Sequence, residues 1–157
     1  MTSEGLRIGD EAPDFILRDQ FGQDVRLSDF RGRKAVALMF FPFAFTGVCT
    51  GELSGVRDRL DEFLSFDTEV LALSCDSVYA LRSFAEAEGL NFPLLSDYWP
   101  HGAVASAYEV FDPVKGAPRR SSYVVDREGR LSWAVHNANP DGRDLDEHIR
   151  ELQAAVG

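Results

Sequence analysis

The chain has 157 residues, of which 45% are apolar and 27% charged, and its formal charge is −10. This length suits one domain with a full buried core, so residues 1–157 are expected to form a single unit. The acidic balance argues against a nucleic-acid partner, which needs a basic face, and against docking on an anionic membrane. The longest apolar run, residues 35–45, contains Pro42 and falls short of the roughly 20 residues that span a bilayer. Residues 1–5 lack the charged-then-apolar pattern of an export signal. With only Cys49 and Cys75 present, the expectation is a cytoplasmic protein with reduced thiols and no disulfide framework.

In chain order, residues 14–17 and 24–27 flank Gln20-Phe21-Gly22-Gln23 and predict a short N-terminal hairpin. Ser28 is expected to cap a single helical turn that stops at Arg31-Gly32. Residues 34–41 are nearly all apolar, as in a strand covered on both faces, and Pro42 ends it because proline cannot donate to a ladder. From Cys49, the residues Leu53, Val56, Leu60, Phe63 and Leu64 recur at helical spacing. Residues 69–74 predict a second buried strand. A helix over 77–88 follows, and Gly89 stops it. Residues 92–96 read as a short strand and 103–108 as a short helix. Residues 121–125 and 131–135 form a hairpin around Asp126-Arg127-Glu128-Gly129. A last helix begins near 141–144 and runs to about 155. This order predicts an α/β thioredoxin-like fold, a mixed central β-sheet flanked by helices, with an N-terminal β-hairpin extension.

The chemistry centres on Cys49. It falls in the first turn of a helix, where free N–H groups and the helix dipole favour a thiolate. Dithiol exchange within a Cys-x-x-Cys motif is excluded, because Glu52 occupies the second position of Cys49-Thr50-Gly51-Glu52. Thr46 brings a hydroxyl three residues earlier, and Pro42 and Phe45 supply an apolar rim suited to a small polar oxidant. His101, His136 and His148 show no metal-ligand spacing, and structural or surface roles are expected for all three. No metal or cofactor is called for.

Pro42-x-x-x-Thr46-x-x-Cys49 resembles the active-site motif of the peroxiredoxins. The segments Gly9-Asp10-Glu11-Ala12-Pro13-Asp14-Phe15, Leu27-Ser28-Asp29 and Arg120-Ser121-Ser122-Tyr123-Val124-Val125-Asp126 are similar to that family too, so the likeness covers nearly the whole chain. Residues 41–53 and 94–104 look most like the one-cysteine alkyl hydroperoxide reductase E subfamily. The resemblance implies an antioxidant thiol peroxidase that reduces hydrogen peroxide, organic hydroperoxides or peroxynitrite, with Cys49 passing through a sulfenic acid. It implies an external reducing thiol, mycothiol with a mycoredoxin or a thioredoxin-like protein, and a homodimer. The alternative reading is a redox relay that passes oxidation of Cys49 to a partner protein.

The resemblance makes Cys49, Thr46, Arg120 and Pro42 the catalytic set. Arg120, Thr46 and the helix N–H groups would stabilise charge on the departing oxygen. Taken singly, Pro42 could be only a strand terminator and Thr46 only a helix cap. Arg119 competes with Arg120; the two lie on opposite faces, and the family spacing Arg-x-x-Tyr-x-x-Asp selects Arg120. Glu52 is a supporting residue, either a first-turn carboxylate favoured by the dipole or an anchor for Arg120 or another cation. Two-cysteine relatives carry a resolving thiol five residues after the first, here Ser54, or near the C-terminus, which has none. Cys75 is therefore expected to be a buried strand-end residue, with a resolving role as the rival. Tyr98-Trp99-Pro100 could pack in the core or form a subunit contact.

Overall fold

The computed structural model describes residues 6–64, 67–136 and 143–156. The export-signal reading of residues 1–5 and the start of the last helix at 141–142 lie outside these.

Among the described residues, seven strands form one mixed sheet in the order β2 (Asp24–Arg26), β1 (Ile16–Arg18), β5 (Leu94–Ser96), β4 (Thr68–Ser74), β3 (Ala35–Phe40), β8 (Ser121–Val125), β9 (Leu131–His136). Inside the sheet, β3 lies parallel to β4 on one side and antiparallel to β8 on the other. Every residue of β3 is buried, which is why its sequence is a continuous apolar run rather than an alternating one. β5 (Leu94–Ser96) extends the parallel part. The hairpin of β1 (Ile16–Arg18) and β2 (Asp24–Arg26) adds to it antiparallel. β9 (Leu131–His136) closes the other edge.

Alternation along β3 divides the core between the two faces. Ala35, Ala37, Met39 and Phe41 face a layer built by α1 (Gly47–Asp58), α2 (Leu60–Phe63), α3 (Val78–Glu88) and α5 (Leu145–Ala154). Val36, Leu38 and Phe40 face α4 (Ala103–Ala107), the 3-10 turn Leu27–Phe30 and the N-terminal segment. There Tyr108 is fully buried and donates its hydroxyl to the Pro13 carbonyl at 2.6 Å. The mixed sheet flanked by helices, the thioredoxin-like arrangement with its N-terminal hairpin, is the fold expected from the element order.

The helix expected over 77–88 is α3, and Gly89 ends it as expected, in the left-handed conformation with φ +66°. The structure adds an N-cap: Ser77 Oγ accepts from the Ala80 N–H at 3.1 Å. Other expectations are corrected. Ser28 caps nothing: it lies inside the 3-10 turn, and its N–H donates to Asp14 Oδ1 at 2.9 Å. The turn at 20–23 lies where expected, and the structure adds a role for Gln20. It is buried, donates to the Phe92 carbonyl and accepts from the Leu94 N–H, both at 2.9 Å, and so pins the hairpin to β5. The helix begun at Cys49 breaks at Arg59 (φ −117°, ψ 25°), where α2 restarts to turn Phe63 into the core. A two-stranded ribbon, β6 (Phe111–Asp112) with β7 (Ala117–Pro118), was not foreseen, since two-residue strands carry no periodicity.

Candidate active site

Phe41 makes the last ladder bond of β3, donating to the Leu73 carbonyl at 2.9 Å, and Pro42 then starts a loop that ends at Thr46. Phe45 in this loop is left-handed, with φ +70°, a conformation that costs a non-glycine residue about 1 kcal/mol. The residue is 57% exposed, but its ring rests on Phe84 of α3, with centroids 5.1 Å apart. The Ala44 N–H donates to Asp76 Oδ2 at 2.9 Å, tying the loop to the end of β4.

Thr46 is the N-cap residue of α1 by position, in extended conformation, but its side chain does not cap. The hydroxyl instead donates to the Phe43 carbonyl at 3.0 Å. A carbonyl can only accept, so the hydroxyl proton is committed there and Oγ1 is left as an acceptor. The expectation that Thr46 would donate to a departing oxygen does not fit this conformation.

Cys49 sits in the first turn of α1 and is fully buried. Arg120, in the residue just before β8, donates Nη2–H to Cys49 Sγ at 3.3 Å and Nε–H to Glu52 Oε1 at 2.9 Å. The neighbouring Arg119 is exposed. Cys49 and Glu52 are one helical turn apart on the buried face of α1, which is how a single guanidinium reaches both. Burial pulls the Arg120 pKa down, but the hydrogen bond and charge of Glu52, with Cys49 beside it, outweigh this and leave it above the ordinary value.

A second cation, Arg143, was missed by the sequence reasoning. Its side chain has no exposed surface, and its Nε lies 3.4 Å from Glu52 Oε2, the opposite oxygen from the one Arg120 holds. Nη1 donates to the Ser121 carbonyl and to Ser122 Oγ, both at 2.7 Å, and Nη2 donates to the Phe40 carbonyl. Glu52 Oε2 and Arg143 Nε make no hydrogen bond of good geometry, so their attraction there is through charge alone. Burial, opposed by Glu52 and aided by Arg120, lowers the Arg143 pKa to about 10, so it remains a cation at neutral pH.

Behind Arg143 lies His148 of α5, also buried. Its Nδ1 is 2.6 Å from the Asp144 carbonyl and must be the protonated nitrogen; its Nε2 then accepts from Ser122 Oγ at 2.7 Å. Burial and the nearby Arg143 push its pKa down to about 4, so the ring is neutral. His101 and His136 are exposed and bond the Gly116 carbonyl and Ser121 Oγ.

Cys75 follows β4 and is buried. Burial first, and then the charges of Asp97 and Asp76, push its thiol pKa up to about 12. A thiol so held is a poor nucleophile. Both cysteines are free. No helix among the described residues is long and apolar enough to cross a membrane.

A thioredoxin-like sheet that presents one thiol on a helix N-terminus, with an arginine on its sulfur, is an arrangement suited to oxidoreductase chemistry through cysteine. The chain belongs to the AhpC/TSA family, the peroxiredoxins, whose sequence pattern it matches over residues 8–134. It is 48% identical over 139 residues to alkyl hydroperoxide reductase E of Mycobacterium tuberculosis, an alignment covering 88% of this chain and 91% of that one. Its fold is similar to that of peroxidoxin BcpB from the same organism, with a TM-score of 0.85, 31% identity, and coverage of 97% and 99% of the two chains. The reduced 2-Cys peroxiredoxin of Plasmodium vivax superposes with a TM-score of 0.83 at 30% identity, covering 94% of each.

Proposed function

We propose that this chain is a one-cysteine thiol peroxidase acting on hydrogen peroxide, organic hydroperoxides and peroxynitrite. The Cys49 thiolate attacks the hydroxyl-bearing oxygen of R–O–O–H, forming an S–O bond as the O–O bond breaks. Sulfur supplies the electron pair and becomes a sulfenic acid, and RO⁻ leaves and takes up a proton to give the alcohol. The observation that carries the reading is the 3.3 Å contact of Arg120 with Sγ, backed by Glu52 and Arg143. Glu52 and the two arginines sum to a single positive charge, which the thiolate cancels in a site where net charge is costly. Arg120 can follow the negative charge from sulfur to the departing oxygen, while Thr46 accepts from the peroxide O–H and the pair hold the O–O bond in line. Pro42 supports this set by ending β3 where the loop must begin.

The one-cysteine mechanism is supported by Glu52 in place of a second thiol and by the raised pKa of Cys75. Recovery then requires an outside thiol, a mycothiol and mycoredoxin pair or a thioredoxin-like protein. We assign the chain to the cytoplasm, as a single domain over residues 1–157. The exposed aromatics Phe43, Phe45, Tyr98 and Trp99 support a homodimer.

Mass spectrometry after one equivalent of peroxide tests the reading. Cys49 is expected as sulfenic acid, or coupled to an added small thiol, with Cys75 reduced. Peroxide consumption that stays stoichiometric with every thiol reductant would refute an enzyme and leave a relay.

A further inference from the structure

The Phe43–Ala44 peptide group is held from both sides. Its N–H donates to Asp76 Oδ2 at 2.9 Å, and its C=O accepts from Thr46 Oγ1 at 3.0 Å. In a trans peptide these two bonds point in opposite directions, so one fixes the direction of the other. Asp76 is itself fixed: Oδ2 accepts from Ser74 Oγ at 2.7 Å, its own N–H donates to Ser74 Oγ at 3.2 Å, and its carbonyl accepts from Ser96 Oγ at 2.6 Å. The carboxylate therefore sits on the ends of two central strands and reaches into the loop. Next in the chain comes Phe45 with φ +70°, a backbone state that persists only where its surroundings impose it.

We propose that Asp76 is a positioning residue for the peroxide step: by orienting the Phe43–Ala44 peptide it sets the polarity of the Thr46 hydroxyl. With the carbonyl aimed at Oγ1, the hydroxyl proton is committed to it and a lone pair faces the substrate. Without Asp76 the plane is free to rotate, and the hydroxyl can turn its proton toward the thiolate instead. Thr46 would then bind the resting sulfur and no longer accept from the peroxide. The charged acceptor strengthens the arrangement, since a carboxylate bond is stronger than a neutral one and polarises the peptide toward its oxygen. Asp76 touches no reacting atom; it acts through one peptide and one hydroxyl.

The inference rests on the peroxidase reading, and the test separates the two. Single-turnover oxidation of Cys49 by hydrogen peroxide is followed by quenched flow, with a sulfenic-acid probe and mass readout, for the wild type, Asp76→Ala, Asp76→Asn, Thr46→Val and the Asp76→Ala/Thr46→Val double variant. Asp76→Ala is expected to slow oxidation by roughly tenfold to a hundredfold, the scale of small misplacements at a reacting centre. Asparagine keeps an acceptor for Ala44 and is expected to restore most of the rate. The double variant should be no slower than Thr46→Val alone. An Asp76→Ala rate equal to wild type, or the same slowing in both backgrounds, overturns the inference, because a general loosening would act whether or not Thr46 has a hydroxyl. If Asp76→Ala does not fold, Ser74→Ala, which removes only the hydroxyl that holds Asp76, must slow oxidation in the same Thr46-dependent way or the inference fails. A wild type that is not oxidised at Cys49 at all would overturn the peroxidase reading first.

Discussion

A buried neutral histidine makes the stability of this protein fall as pH falls, and the size of the effect follows from His148. Its folded pKa is about 4, against 6.5 for the free side chain, because burial and Arg143 both oppose a second positive charge. The unfolded chain therefore binds a proton at a pH where the folded chain does not. Stability is lost as pH falls below about 6.5 and levels off below about 4. The full gap corresponds to about 3 kcal/mol, and about 2 kcal/mol of it is lost between pH 7 and pH 5. His148→Gln isolates the effect, since glutamine does not titrate yet can donate to the Asp144 carbonyl and accept from Ser122. Urea unfolding of both proteins at the two pH values gives the comparison. Carboxylates contribute equally to both chains, so the wild type should lose about 2 kcal/mol more than the variant. Equal losses would mean that the ring is not held neutral, and the tautomer assigned from Asp144 and Ser122 would be wrong.

Arg120→Ala is expected to slow Cys49 oxidation by a factor on the order of 100 or more in stopped flow, the scale of removing one preorganised donor. Arg119→Ala should be unchanged, because that side chain is exposed; equal rates for the two would undo the assignment. Cys75→Ser should retain both the oxidation rate and steady-state turnover. An intramolecular disulfide seen by mass spectrometry in the wild type and lost in this variant would refute the one-cysteine mechanism. Gly102→Ala should destabilise the fold by about 2 kcal/mol or more in thermal melts, since φ is +71° there and a Cβ would collide with the Phe111 ring. A melting temperature equal to wild type would show that Phe111 moves aside.

What was legible in the sequence was local. The stop of α3 at Gly89 was legible because a left-handed helix end acts within a few residues. Pro42, Thr46 and Cys49 were legible because their joint spacing matches the peroxiredoxin motif, and Glu52 was left between a first-turn carboxylate and an anchor for a cation. Arg143 had no such signal. It follows Asn-Pro-Asp-Gly, where an arginine reads as a solvated loop cation. It is buried because the ends of β3 and β8 present the Phe40 and Ser121 carbonyls side by side. The direction of the Thr46 hydroxyl was equally hidden, since it depends on the Phe43 carbonyl rather than on spacing. The capping role of Ser28 failed for the opposite reason: Asp14, distant in sequence, supplies the acceptor for its N–H.

The position of Arg143 also sets an order of assembly. Cys49 precedes Arg143 by most of the domain, and α5, which Arg143 leads into, is the last helix among the described residues. Until that helix docks, Glu52 has only Arg120 as a partner, and the carbonyls of Phe40 and Ser121 lack their cation. The charge set around the sulfur is thus completed only once Arg143 has docked with α5. A chain cut before Arg143 would keep Cys49 and Arg120 with that charge set incomplete, and its reactivity toward peroxide is expected to rise when α5 docks.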